Sequence, residues 1–468
     1  MRHAVIAIAL SLSLAACTVP TSAPQLAPRT AGDLGLTGPA APLPASRWWE
    51  SFKDPQLDRL VEQALADSPT LEAAGARLRR ARAGLAAARA TDGPDIAADG
   101  DAQVARLSGR STIPPPYRGS VRFLGTVGAD LDWNLDLFGR QRAAIDGARA
   151  SVRAAALDTE AARLVLVGAV VQTYLELARS ERIAAIAAAT IAVRERALHL
   201  REVRAANQLA SNLDTSAGEA LVAQARQRLE QAHGARALIV DALAALTGHG
   251  VDAAGRIAPT SLDLDVAMAL PASLPADLLA RRPDIGAAQA RIEAADGNRA
   301  VARRAFYPNV NLTAMIGLEA VGIGNLFNPD AATIGGGGAI HLPIFDHGRL
   351  RAELAKATAD LDGAIADYDR AVVAAVQESA DGLATIGNLS DQRRAARAAL
   401  EGWRTVDRLQ AARARNGLET RLDRVDNDVR LLDAELVDAG LTIDAAIARA
   451  RLATALGGGF TSEGEANR

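Results

Sequence analysis

"VRFLGTVGADLDWNLDLFG", residues 121–139, alternates with a period of two. Val121, Phe123, Val127, Ala129, Leu131, Trp133, Leu135 and Leu137 take the odd positions; Arg122, Thr126, Asp130, Asp132, Asn134 and Asp136 take even ones. This is the pattern of a strand with one apolar face and one wet, acidic face. In a water-soluble domain a helix or a second sheet would cover the apolar face. The rest of the chain decides whether that cover exists.

Three more stretches alternate in the same way. Residues 95–106 set Ile96, Ala98, Ala102 and Val104 against Asp95, Asp99, Asp101 and Gln103. "NVNLTAMIGLEA" (309–320) and "TIGGGGAIHLPI" (333–344) complete the set. The four strands fall into two copies of one pattern. "SPTLEAAGARLRRARAGLAAARATDGPDI" from Ser68 aligns without a gap on "RPDIGAAQARIEAADGNRAVARRAFYPNV" from Arg282, with Pro69/Pro283, Arg77/Arg291 and Pro94/Pro308 in register. Downstream, Arg140/Arg349, Asn207/Asn416, Asp214/Asp423 and Gly248/Gly457 keep a slightly shorter offset, so the length change falls between the matching strands. The chain is an internal duplication. Each copy reads helix, strand, strand, long helix, helix.

From Gly139 to Asn207 and from Gly348 to Arg415 there is no proline, and alanine, arginine and acids dominate. Helices of that length span roughly 100 Å, and rods of this kind bury their apolar stripes only against neighbours. "LVLVGAVVQTYLEL" (164–177) is too short for a membrane span and reads as a packed helix face. With a net charge of −3 the chain offers no basic field for nucleic acid. Its one cysteine excludes an internal disulfide.

That cysteine stands in "MRHAVIAIALSLSLAACTVP", a positive start followed by a short apolar run and small residues, as in a secretory signal. Leu14-Ala15-Ala16-Cys17 resembles the bacterial lipobox, which makes Cys17 the expected lipidation site. Thr18 in place of an aspartate favours, by that resemblance, delivery to the outer membrane. The Pro/Ala/Thr/Gly-rich stretch that follows reads as an extended tether.

Four strands cannot cover themselves, and lipid accepts strands only as a closed barrel. Eight strands is about the minimum for closure, so several copies must pool theirs. The apolar faces then meet lipid, and Asp99, Asp101, Asp130, Asp132 and Asp136 line a lumen. Trp133, Phe138, Phe306, Tyr307 and Phe345 gather at the helix-side strand ends, where an interfacial girdle belongs.

"RWWESFKDPQLDRLVEQAL", "RRPDIGAAQARIEAADGNRAVARRAFYPNVNLTA", "LPIFDHGRLRAELAKA" and "AVVAAVQESADGLATI" resemble the TolC-type outer-membrane factors, in the NodT-like efflux lipoprotein branch. Together with the repeat, the resemblance covers about residues 48–460. It implies a membrane α+β fold: a homotrimer whose twelve strands form an outer-membrane β-barrel, continued by a periplasmic α-helical tunnel. It also implies a periplasmic adaptor and an inner-membrane RND-type transporter as partners, no cofactor and no enzymatic activity. A duct for type I secretion or metal efflux would share the fold, and a lipid-anchored coiled-coil scaffold without a pore is the reading from another class. The expected organisation is a signal peptide (1–16), Cys17 and tether (17–47), repeat one (48–250; β-hairpin about 95–137, helical hairpin about 140–247) and an equatorial linker (251–275). Repeat two (276–460; about 308–345 and 348–456) and a flexible tail (461–468) complete it.

The resemblance places the gating carboxylates on Asp423 and Asp426, three residues apart and hence on one helix face; Asp214 is the matching tip position in copy one. Three chains would give a ring of like charge that attracts cations. On composition alone Asp428 is an equal candidate. The tyrosine and arginine that lock the tip in well-known members correspond to Ala414 and Glu419, leaving Arg415, Arg421 or Arg424 to replace the pairing. "GGGG" (335–338) lacks the Lys-Ser/Thr of a phosphate loop and is read as relief of crowding inside a strand. His341 and His347 lack the companions of a metal site.

Overall fold

The computed structural model describes residues 22–36, 44–110, 112, 114–264, 271, 274, 277–418 and 420–460, with Val251, Ala253, Arg421 and Asp423 described by backbone alone. Cys17, the signal segment and residues 461–468 lie outside the described residues. The elements are α1 (Pro55–Asp67), α2 (Pro69–Ala90), β1 (Asp95–Arg106), β2 (Val121–Asn134), α3 (Arg140–Ala206) and α4 (Asn212–Leu246). They are followed by α5 (Pro283–Arg304), β3 (Asn309–Val321), β4 (Ala332–His341), α6 (Arg349–Arg415) and α7 (Arg421–Ala455). The duplication shows in the lengths: α2 and α5 have 22 residues each, α3 and α6 67, and α4 and α7 35.

Two compact units divide the chain. One is built on residues 77–156 and 287–368 and includes the segment ending at Pro28; the other is built on residues 29–76, 157–286 and 369–468. In the first, the strands form one antiparallel sheet in the order β1-β2-β3-β4. Its register keeps most of the two chemistries apart, with Leu124, Met315 and Val321 left on the polar side. Ile96 faces Leu131, Val127 faces Leu318, and Ile316 faces Ile334 on one side; Asp95 faces Asp132 and Thr126 faces Glu319 on the other. Among the described residues no α-helix covers the apolar side, where Ile96, Val104, Ile316, Ile334 and Ile340 are exposed; the loop residue Leu326 reaches it at Gly125. Within the glycine run of β4 only Gly335 is crowded, where a Cβ would come 3.3 Å from Met315 Cγ; a Cβ at Gly337 would meet nothing within 4 Å. The tight approach is at Gly317, where a Cβ would lie 2.6 Å from the Val127 carbonyl.

In the second unit the core forms where Trp48, Trp49 and Phe52 pack with Leu57, Leu60 and Val61 of α1 against Val167, Val170, Val171, Tyr174 and Leu177 of α3. The stretch 164–177 is therefore a packed helix face, and among the described residues no helix is long and apolar enough to cross a membrane. Pro55 opens α1 behind Asp54, whose side chain accepts from the Gln56 N–H. The described part of the linker is not loose: the Ser261 N–H donates to Asp54 at 2.8 Å and the Asp263 N–H to the Phe52 carbonyl at 2.9 Å. The described part of the tether is pinned. The N–H groups of Gln25 and Leu26 donate to Asp362 of α6, and the N–H of Arg29 donates to Asp369, one spacing further along the same helix.

Candidate functional site

The first half of the site is the polar face of the sheet. Asp99 and Asp101 on β1 and Asp130 and Asp132 on β2 share it, with Asp130 opposite Ala97 and Asp99 opposite Gly128. Two acids belong with them: Asp95, directly across from Asp132, and Glu319 on β3. Asp136 does not. β2 ends at Asn134, and the Asp136 carboxylate accepts the N–H groups of Gln141 and Arg142 in the first turn of α3. The even position continued the alternation, but the unpaired donors of a helix start claim the acid first. Copy two does the same: Asp346 accepts from Gly348 and Leu350, and those N–H groups hold its carboxyl below the usual range.

At the helix-side edge, the Phe138 and Tyr307 rings stack at 5.3 Å and Phe345 lies 4.6 Å from the His347 ring. The Trp133 indole N–H donates to the Asp92 carbonyl. His341 faces Asn309 across the β3–β4 pair. Among the described residues no group of His, Cys, Asp and Glu is placed to hold a metal.

The second half is the pair of turns that close the long helical hairpins, after α3 and after α6. α3 ends in Gln208 with φ 59°, and α6 ends in Gly417 with φ 70° at the matching repeat position. Leu209 N–H bonds Arg204 O and Leu418 N–H bonds Arg413 O, the same C-terminal closure in both copies. Asp214 completes a capping box with Ser211 at the start of α4. The Ser211 N–H and then its hydroxyl hold the Asp214 carboxyl below the usual range.

On α7, Asp423 stands in the first turn, its side chain outside the described set, and Asp426 is exposed. Asp428 is half-buried. Burial raises its pKa and the Asp407 charge adds to the rise, against Arg424 and Arg196. Glu419 lies outside the described residues. Of the candidate replacement arginines, Arg415 turns back to the Ala411 carbonyl, whereas Arg424 reaches Asp407 of α6 at 3.5 Å. The seams of α7 differ: Val425 and Val429 pack on Val193 and Ala197 of α3, while Arg397–Asp438, Arg404–Glu435 and Arg424–Asp407 join it to α6. That ionic seam was not read from the sequence, because its partners stand far apart in the chain.

A sheet with one uncovered apolar face and one acidic face, continued by paired 67- and 35-residue helices, is the build of an outer-membrane export channel. The chain belongs to the outer membrane efflux protein family, whose model matches residues 60–249 and 274–458. It is 32% identical over 462 residues to the pyoverdine export outer membrane protein OpmQ of Pseudomonas putida, covering 97% of each chain. It is 30% identical over 424 residues to the probable efflux pump outer membrane protein TtgC of the same species, covering 90% of this chain and 87% of TtgC. The crystal structure of the outer membrane protein VceC from Vibrio cholerae superposes with a TM-score of 0.82 at 32% identity, over 89% of this chain and all of VceC. The protein is an outer-membrane efflux channel extending into the periplasm, and not an enzyme.

Proposed function

We propose that three copies pool their sheets into a twelve-stranded barrel, with the Ile316 face toward lipid and the Asp130–Asp132 face lining a water-filled lumen. The observation that carries this reading is the register. The strands put most of their apolar residues on one side, with Leu124, Met315 and Val321 as exceptions, and among the described residues no α-helix covers that side. The long helices continue the lumen as a periplasmic tunnel. A periplasmic adaptor docks at the helix turns, where Leu209, Leu213 and Leu418 are exposed, and links the duct to an inner-membrane RND-type transporter. Asp423 and Asp426 gate the far end. Asp214, the matching position in copy one, holds its own tip turn through Ser211. Lipidated Cys17 anchors the pinned strap to the membrane.

Cargo is small molecules delivered by the pump. The relatives' names range from pyoverdine to antibiotics and toluene, so the duct is general and the transporter selects. The test is a pair of arginines. Arg or Lys at the lipid-facing midplane of a barrel costs about 2–4 kcal/mol per chain. Ile316→Arg is expected to abolish membrane-embedded trimers in cross-linking, whereas Thr313→Arg, on the other face, leaves trimers intact and lowers cation selectivity. Normal assembly of Ile316→Arg would overturn the assignment of faces.

A further inference from the structure

The second unit holds a cavity of about 750 Å³ between α3 and α6, floored by α7 and the start of α5. Its size falls in the range of small-molecule sites. At about 100° per residue, its α3 residues Val165, Gln172, Glu176 and Arg179 stand on the side of the helix opposite Val167, Val170 and Tyr174, which pack on the Trp48–Phe52 cluster. The cavity therefore opens on the face of the wall turned away from that cluster.

Its lining combines an apolar floor with unbalanced charge. Val165, Leu389, Ile447 and Leu452 supply the floor, and Val165 is 65% exposed in the middle of a helix whose other face is core. Five carboxylates stand against three guanidinia. Arg179 is taken by Glu176 and Asp444, and Arg282, its side chain 12% exposed, by Asp284 and Glu378. Arg451 donates to Gln172. Asp381, exposed at the mouth and one turn from Thr385, has no ion-pair or hydrogen-bond partner among the described residues. An unpaired carboxylate beside an apolar floor suits an organic cation with a flat or bulky body. The body covers Val165 and Leu389, and the cationic charge pairs with Asp381.

We propose that this cavity is a binding site for amphiphilic organic cations in the wall of the duct, a stopping place for cargo between the pump and the barrel. It rests on the duct reading, which puts the face turned from the Trp48–Phe52 cluster toward the lumen. The test titrates full-length, purified channel with ethidium, followed by fluorescence anisotropy. Asp381→Asn is expected to weaken binding at least tenfold. Thr385→Trp, which fills the cavity from an exposed position, is expected to abolish it, and anionic anilinonaphthalene sulfonate is expected not to compete. Bilayer conductance of the same preparations is expected to be unchanged by either variant. Equal ethidium binding by all three proteins, or no binding by a wild-type channel that conducts, would overturn the site and leave the duct standing. A wild-type protein that does not conduct would overturn the duct and the site with it.

Discussion

The Tyr174 hydroxyl donates to Oδ2 of Asp54 at 2.8 Å inside the core of the second unit. Asp54 is 1% exposed and also accepts from the N–H groups of Gln56 and Ser261. One carboxylate thus joins α1, α3 and the linker. Burial opposes its charge, but the Ser261, Tyr174 and Gln56 bonds outweigh burial and lower its pKa. Burial beside that carboxylate raises the pKa of Tyr174.

Asp54→Ala leaves three buried donors unpaired and is expected to cost about 3 kcal/mol; Tyr174→Phe is expected to cost about 1–2 kcal/mol. The pH dependence follows from the lowered pKa. The contribution of Asp54 is fully present above its unfolded value of about 3.8 and is lost as pH falls through the folded value. Circular-dichroism melts at pH 7 are expected to separate wild type from Asp54→Ala, with the gap closing at the acid end. A gap that widens in acid would contradict the bonding described.

Gly457 and Gly248, partners in the repeat, close α7 and α4 against the residue two before the proline that opens α5 or α2. A Cβ at Gly457 would lie 2.1 Å from the Arg281 carbonyl, and one at Gly248 2.3 Å from that of Asp67; both have positive φ. Either change to alanine is expected to cost more than about 3 kcal/mol, adding backbone strain to a clash. Gly387→Ala, at an open mid-helix position of α6, is expected to stabilise by about 0.5–1 kcal/mol. Thermal denaturation of the three variants checks the contrast.

The pinned strap gives a third outcome. Asp362 and Asp369 take main-chain N–H groups, so the strap is held whatever its side chains. The double change Asp362→Ala/Asp369→Ala is expected to speed tryptic cleavage at Arg29 about tenfold, with the helices still folded. Cys17→Ser is expected to abolish lipid labelling and leave cleavage at Arg29 slow. Fast cleavage in Cys17→Ser would mean that the lipid, not α6, holds the strap.

Where one physical demand ruled a residue, the sequence was readable. Ile316 and Ile334 had to stand on one face because a pleat alternates. The duplication matched Pro69 to Pro283 because both open a helix. Reading failed where two demands competed. Asp136 fits the strand alternation, yet the bare N–H groups of α3 take it. The tether reads as free because proline and alanine say nothing of aspartates on α6, more than 300 residues away. The Arg424–Asp407 seam and the Asp381 cavity depend on how helices meet in space, which periodicity does not encode.

The tip acids separate by environment, and so do their expected phenotypes. Asp214→Ala breaks a capping box, so it is expected to cost about 1 kcal/mol locally and to fray the start of α4 in hydrogen exchange, with little change in ion selectivity. Asp428, with a raised pKa, binds a proton more tightly folded than unfolded. It therefore opposes folding once pH exceeds its ordinary value, and Asp428→Asn is expected to stabilise the tip at neutral pH. Asp423→Ala/Asp426→Ala removes two carboxylates from the first turns of α7, of which Asp426 is exposed. In planar bilayers this double variant is expected to at least double single-channel conductance and to lose block by trivalent cations, as the proposed carboxylate ring requires. If conductance rises with Asp428→Asn but not with the double variant, the constriction lies one turn further along α7, at the carboxylate beside Arg424.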